Sequence, residues 1–301
     1  MKPRLSLVIP AFNEAGNLEK GALDTVEAYL AAQPYDSEVI VVDDGSADTT
    51  GARVAAYAAT HPRFSLIRNP HRGKAYAVST GILAAQGEIV LFSDMDQATP
   101  LSEAELILPW FDRGYDVVIG SRGTYRRNAP FWRLVMSRGQ MILRNLILGF
   151  SEITDTQCGF KAFRGSAVGP ILDHLHFYKN SEAHETTGAK VTAGFDVELL
   201  FVAKRLGYKI REVPVEWDYQ HSRRVNLVRD SLRGVLELGQ IRLADLRGAY
   251  RRGEHGAVRK DDLGRLPGLP GRPSHSHLGC QPGRLRHPPD AGDARVDTPD
   301  E

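Results

Sequence analysis

The stretch 91-LFSDMDQATP-100, preceded by Ile89 and Val90, decides how this chain folds. Four large apolar residues in a row read as a buried strand, yet the run breaks into two carboxylates one residue apart. At an extended strand end side chains alternate between faces, so Asp94 and Asp96 would point to the same side and could share one ligand. Two such close like charges repel unless a cation neutralises them. Hard oxygen ligands suit Mg2+ or Mn2+, ions that commonly also hold substrate phosphates. A solvated loop carrying two acids is the plain alternative for any isolated Asp-x-Asp.

The surrounding pattern decides between the two. Working outward, short apolar runs at 5–9, 39–42, 65–68, 89–92 and 117–119 predict strands, and helical patterns at 17–32, 48–59, 73–85 and 102–111 fall between them. That alternation predicts βαβ units and an α/β fold, a Rossmann-like, mostly parallel sheet flanked by helices. Asp48 is placed to cap its helix, and Ser102 with Glu105 has the spacing of a capping box. In such sheets ligands bind beyond the carboxyl ends of the strands. Glu14 follows the first strand, Asp43 and Asp44 the second, and Asp94 and Asp96 the fourth, so three junctions turn acids toward one crevice.

Later segments are less regular. The stretch 130-PFWRLVMSRGQMILRNLILGF-150 predicts an amphipathic helix with Pro in its first turn and Gly149 at its end, and 154-TDTQCGFKAFR-164 reads as polar and turn-like. A helix is expected over 195–207, stopped by Gly207, and an edge strand over 208–217, interrupted by Pro214. The basic amphipathic segment 225–252 can lie on an anionic membrane or pack on the core with a solvated face. From 255 to 301 the chain is rich in Pro, Gly, Arg and Asp, with too few large apolar residues to offset the entropy of ordering, so this tail is expected to be disordered; an out-of-frame end would look the same.

Bulk properties exclude several classes. The 301 residues are 25% charged and 42% hydrophobic with a net charge of +1, which argues against a nucleic-acid partner held by bulk electrostatics. Cys158 and Cys280 are far apart and lack metal-ligand spacing, so a reducing, cytoplasmic compartment is expected. The run 5-LSLVIP-10 is too short for a leader or a membrane span, and no stretch of 18 apolar residues occurs.

Five ordered motifs, 8-VIPAFNE-14, 41-VVDDGSADTT-50, 73-GKAYAVSTGILAAQGEIVLFSDMD-96, 119-IGSR-122 and 155-DTQCGFK-161, together resemble the family-two inverting glycosyltransferases with the GT-A fold. Among these the chain looks most like the polyprenyl-phosphate (dolichyl-phosphate) hexosyltransferases, and 94-DMDQATP-100 is similar to their glucosyltransferase branch. The resemblance covers roughly residues 4 to 250. It implies one GT-A domain over 1–254, with a nucleotide-sugar half at 1–122 and an acceptor half at 123–254.

It implies further that Pro10, Phe12, Glu14, Asp43, Asp44, Lys74, Asp94 and Met95 line the donor pocket, with Asp44 reading the base. Asp94, Asp96 and Gln97 would hold Mg2+ or Mn2+ against the diphosphate of a nucleotide-sugar donor. The turn holding Arg72, Gly73 and Lys74 precedes a helix, whose free N–H groups favour anions. A polyprenyl phosphate acceptor is already anionic and needs cations more than a base. Arg122 stands at the end of the fifth strand, and Arg133 and Arg138 are similar in placement to acceptor-phosphate ligands of the relatives, or else occupy a solvated face. Arg223 or Arg224 could replace a lysine missing from the turn at 218–226. Asp155 occupies the position of a base in hydroxyl-transferring relatives and here either orients cations or helps bind the sugar. The segment 178–191 looks like a local insertion. The expected activity is transfer of glucose from UDP-glucose to a polyprenyl phosphate, peripherally at the cytoplasmic face of a membrane. Mannosyl transfer from GDP-mannose, a soluble transferase with another acceptor, and a non-enzymatic nucleotide-sugar binder are the alternatives.

Overall fold

The computed structural model describes residues 2–122, 131–150, 152–177, 193–218 and 227–250, without side-chain detail at 131–138, 140, 193 and 227–233. The strands are β1 (Leu5–Ala11), β2 (Ser37–Asp43), β3 (Phe64–Arg68), β4 (Ile89–Ser93), β5 (Val117–Ser121), β6 (Phe160–Arg164) and β7 (Ile210–Pro214). They form a single sheet in the order β3-β2-β1-β4-β6-β5-β7. All pairings are parallel except those of β6, which runs antiparallel between β4 and β5.

Helices cover both faces because successive strand residues alternate between two apolar layers. Leu5, Leu7, Ile9, Ile89 and Leu91 face one layer, which includes residues of α2 (Ala22–Ala31), α3 (Thr50–Thr60), α5 (Ala104–Ile107) and α6 (Pro109–Asp112). Val8, Val90, Phe92, Val117 and Ile119 face the other, with α4 (Lys74–Ala84), α7 (Phe131–Leu148), α8 (Gly165–Asp173), α9 (Ala193–Arg205) and α10 (Leu227–Leu246). On that second side α10 packs against α7 and α9.

Several expectations are corrected. The helix expected over 17–32 is two, α1 (Ala15–Glu19) and α2, because Gly21 takes a left-handed φ of 81° between them. The Ser102–Glu105 box does not form; a 3-10 turn over Leu101–Glu103 leads into α5 without a side-chain cap. The turn-like reading of 154–164 fails for its second half, since Phe160–Arg164 is a strand buried between two others. Pro214 ends β7, the sheet's outer strand, where a residue without an N–H costs no ladder bond. The insertion at 178–191 and the tail at 255–301 lie outside the described residues.

The order of strands positions the site. The chain moves from β1 to β2 and β3 on one side, then returns to β4 on the other side of β1, which makes the β1/β4 boundary a topological switch point. There the register stops at Val8↔Phe92, while β1 continues beside β2 to Ala11. Pro10 lies in this extension, in register with Val42 of β2 and past the end of the β4 pairing.

Candidate active site

The carboxyl ends of β1, β2, β4 and β5 and the start of β6 lie at one edge of the sheet. β4 ends at Ser93, and Asp94 to Gln97 form a turn in which the Gln97 N–H donates to the Asp94 carbonyl (3.1 Å) and Gln97 takes a φ of +47°. The extended conformation therefore ends at Ser93, and Asp94 and Asp96 stand in a turn rather than at an alternating strand end. Met95 is buried in the layer that holds Leu91, while Asp94 turns toward the α4 side.

Lys74, the first residue of α4, places its Nζ 2.5 Å from Asp94 Oδ1. Burial works to lower the Lys74 pKa, but Asp94, Asp196 and Asp96 together raise it above the ordinary lysine value. Asp96 accepts from the Ala98 N–H (3.1 Å); burial, opposed by that bond and reinforced by the Asp94 charge, raises its pKa. Gly159 lies against Asp94, for a Cβ there would stand 2.1 Å from Oδ2, so only glycine lets the β6 approach pass so close.

Two hard carboxylates fit Mg2+ or Mn2+ of the kind that completes its shell with water and substrate phosphates. Among the described residues no cluster of three or more His, Cys, Asp or Glu is arranged to hold a metal, so the remaining ligands must come from elsewhere. Gln97, expected as a third ligand, donates its side-chain amide to the Ala22 carbonyl on α2 (2.6 Å). Met95, buried among apolar side chains, has only its backbone to offer a donor.

The loops after β1 and β2 are laced together. Asn13 donates its N–H to Ser46 Oγ and accepts from the Ala47 N–H, both at 2.9 Å. Glu14 begins α1, its N–H donating to Thr50 Oγ1 (2.8 Å) and its carboxylate accepting from Asn17 (2.6 Å). Asp48, expected to cap α3, accepts from the Thr50 N–H (2.9 Å) and the Ala15 N–H (3.2 Å), while the N-cap position itself is Thr49, without a side-chain bond. Asp43 accepts from the Ser46 N–H (3.0 Å).

Asp44 is 2% exposed and holds the next loop, accepting from the Arg72 N–H (3.0 Å), the Gly73 N–H (2.8 Å) and His71 Nδ1 (2.8 Å). The backbone amides of Arg72 and Gly73, expected to face a diphosphate, are therefore turned to Asp44. Gly73, at a φ of 97°, starts α4 at the angle this requires. His71, which the sequence did not single out, stacks on Phe12 with ring centroids 4.0 Å apart and planes 8° apart. The stack forms one wall beside the switch point.

At the end of β5, Arg122 forms a two-pronged pair with Asp155, Nε to Oδ2 at 2.7 Å and Nη2 to Oδ1 at 2.8 Å, with its own N–H adding a third bond to Oδ2 (3.1 Å). Burial alone would raise the Asp155 pKa, but the Arg122 bonds pull it down to about 2. Arg122 also lies 5.6 Å from the centre of the Trp217 ring, and its Nη1 donates to no described residue. The Asp155 loop is fixed by Glu212 of β7, which accepts from the Asp155 N–H (3.1 Å), and by Arg144 of α7, which donates to the Ile153 carbonyl (2.7 Å) and Thr156 Oγ1 (2.9 Å).

Lys161 of β6 is fully buried, donating to the Cys158 carbonyl and to Asp196 Oδ1, both at 2.6 Å. Sequence singles out neither residue, Lys161 because its segment reads as polar and turn-like and Asp196 because an acid in a helix's first turn is common. The side chains of Arg133 and Arg138, and all of Arg223 and Arg224, lie outside the described residues.

Comparison with known proteins gives consistent results. The model of the family described as glycosyl transferase family 2 matches residues 6–171. A dolichyl-phosphate beta-glucosyltransferase of Trichomonas vaginalis is 33% identical over 234 residues, 72% of this chain and 67% of that protein. The dolichyl-phosphate beta-glucosyltransferase of Saccharomyces cerevisiae is 30% identical over 272 residues, 82% of this chain and 76% of that protein. Among solved structures, glucosyl-3-phosphoglycerate synthase from Mycobacterium tuberculosis, in complex with Mn2+, UDP and glucosyl-3-phosphoglycerate, aligns with a TM-score of 0.56 at 21% identity, covering 80% of each chain. The mannosyltransferase PcManGT from Pyrobaculum calidifontis, in complex with GDP-Man and Mn2+, aligns at 0.50 and 23% identity, covering 85% of this chain and 66% of that one. At these identities the structural likeness establishes the shared fold, the GT-A arrangement expected from the motifs.

Proposed function

Since the chain belongs to glycosyl transferase family 2, we propose that this glycosyltransferase moves glucose from UDP-glucose onto the phosphate of a polyprenyl or dolichyl chain, inverting the anomeric carbon. The observation that carries the proposal is the placement of two unlike ends at one sheet edge. The β4 end holds acids suited to a metal-bound diphosphate, and the β5 end holds a fixed guanidinium suited to a second anion. The names of the two glucosyltransferase relatives support the choice of sugar and acceptor.

In this mechanism Asp94 and Asp96 would hold Mg2+ or Mn2+, which when bound would supply charge neutralisation to the departing diphosphate. Lys74 adds a positive charge beside Asp94. An oxygen of the acceptor phosphate forms a bond to the anomeric carbon as the bond from that carbon to the diphosphate breaks, and UDP leaves with the electron pair. Arg122, with Nη1 turned to no described residue, orients the acceptor phosphate. A phosphate nucleophile has no proton to remove near neutral pH. A carboxylate held near pKa 2 by Arg122, as Asp155 is, makes a poor base and a good clamp on the guanidinium.

The proposal includes peripheral attachment at the cytoplasmic face of a membrane, and an exposed apolar surface supports the attachment itself. Among the described residues no helix is long and apolar enough to cross a membrane. The paired helices α7 and α10 nevertheless leave Ile142, Leu146, Leu236, Leu243 and Leu246 exposed. The test of the reaction is a panel of UDP-glucose, GDP-mannose and UDP-galactose against a short polyprenyl phosphate, with the product weighed by mass spectrometry. A hexosyl-phosphoryl-polyprenol from UDP-glucose is expected. Product only from GDP-mannose would replace the sugar assignment, and transfer only to a soluble hydroxyl would overturn the acceptor.

A further inference from the structure

One buried ion pair remains unused by this mechanism. Lys161 is 0% exposed, lies 5.2 Å from the centre of the Phe92 ring, and reaches Asp196 in the first turn of α9. A lysine without solvent is costly to bury and is retained where its partner is fixed with good geometry. The two bonds at 2.6 Å, to the Cys158 carbonyl and Asp196 Oδ1, hold that carboxylate in one orientation. Its side chain keeps 18% exposure, and Oδ2 meets no hydrogen-bond partner among the described residues.

The position of Asp196 along the reaction axis is defined from both ends. It is held by Lys161, whose backbone lies opposite Phe92, just before Asp94 at the diphosphate end, and opposite Ile119, just before Arg122 at the acceptor end. What lies between a departing diphosphate and an incoming phosphate is the hexose ring. A hexose presents hydroxyl donors, and a fixed carboxylate is an acceptor-only group able to take two of them in charge-assisted bonds. A site built to bond a particular hydroxyl discriminates strongly against a sugar that presents it elsewhere, because the buried polar group is then left unpaired.

We infer that Asp196, oriented by the buried Lys161, accepts hydroxyl hydrogen bonds from the donor hexose and sets which hexose is taken. Lys161 is a positioning residue, and Asp196 touches the sugar. The inference rests on the transfer reaction proposed above and adds to it the sugar-recognising group.

The test compares wild type with Asp196→Asn by titration calorimetry in Mn2+ using UDP, UDP-glucose and UDP-galactose, and by the kcat and KM of transfer. The asparagine variant should bind UDP as wild type does, lose at least about tenfold in affinity for UDP-glucose, and show a narrowed preference over UDP-galactose. If stranding the Lys161 ammonium prevents folding, the double variant Lys161→Met, Asp196→Asn removes the stranded charge and is read in the same way. Equal losses for UDP and UDP-glucose would show a structural role only, and a lowered kcat with unchanged donor affinity and preference would place Asp196 in the chemical step; either overturns the inference alone. Wild-type protein that binds none of the three would overturn the donor assignment and this inference with it.

Discussion

Asp155 shows how one contact decides a residue's chemistry. An acid in 155-DTQCGFK-161 is open in sequence to the roles of base, sugar ligand or clamp, and the two-pronged pair with Arg122 is the contact that the fold gives it. Its pKa falls from 3.8 to about 2 on folding, which corresponds to ~2 kcal/mol of stability. Because the folded value lies below the unfolded one, that contribution is complete above about pH 4 and is lost as the pH falls through about 2. Asp155→Asn should therefore destabilise the protein by ~2 kcal/mol or more at neutral pH, the excess coming from an unpaired buried guanidinium. In chemical denaturation followed by fluorescence, the gap from wild type should close on acidification across that window. A gap of constant size down to pH 2 would contradict the assignment. Asp94 and Asp96 were legible because charges ending an apolar run need a reason. Asp44 was legible as an acid at a strand end, whereas its grip on the 71–73 loop depends on partners 27 to 29 residues away. Lys161 and Asp196 were not legible, since each has an ordinary local setting and gains meaning only from the other.

Elements with a strong local period were readable, and those defined by their neighbours were not. The strands β1, β2, β4 and β5 announce themselves through continuous apolar runs because both faces are covered. β6 carries Lys161 and Arg164 in five residues, and its place in the centre follows from pairing with β4 and β5 rather than from its own pattern. The amphipathic reading of α10 left membrane and core open, and each face has its own answer. Leu238, Ile241 and Ala244 are buried, while Leu236, Leu243 and Leu246 are 68%, 46% and 66% exposed and recur at helical spacing between the exposed Arg242 and Arg247. An apolar stripe flanked by arginines suits the interface of an anionic bilayer. Each leucine fully transferred from water contributes about 1.5–3 kcal/mol. The triple change Leu236→Ser, Leu243→Ser, Leu246→Ser should therefore lower partition to anionic vesicles by more than about tenfold in flotation while leaving the melting temperature nearly unchanged. Unaltered flotation would remove α10 from the attachment surface.

At the scale of the molecule, the fold gathers sequence-distant groups because strand order, and not sequence order, sets what meets at the sheet edge. The reversal between β1 and β4 opens a place beside the Phe12 and His71 rings. The antiparallel entry of β6 between β4 and β5 carries Gly159 against Asp94 and leads from the loop that holds Asp155 against Arg122. The α/β class and the crevice could be read from alternation alone, but the β6 crossover that joins the two ends of the reaction axis could not. The central claim is that Asp94 and Asp96 present a divalent cation to a nucleotide-sugar diphosphate while the β5 end receives a lipid phosphate. The most direct measurement is transfer of radiolabelled hexose from UDP-glucose to a short polyprenyl phosphate, in Mn2+, in excess chelator and after restoring Mn2+, for wild type and for Asp94→Ala and Asp96→Ala. The account predicts lipid-linked hexose from wild type in Mn2+, its loss in chelator, its return with the metal, and a drop of at least about a hundredfold for either alanine variant. Undiminished transfer in chelator, or by both variants, would contradict it.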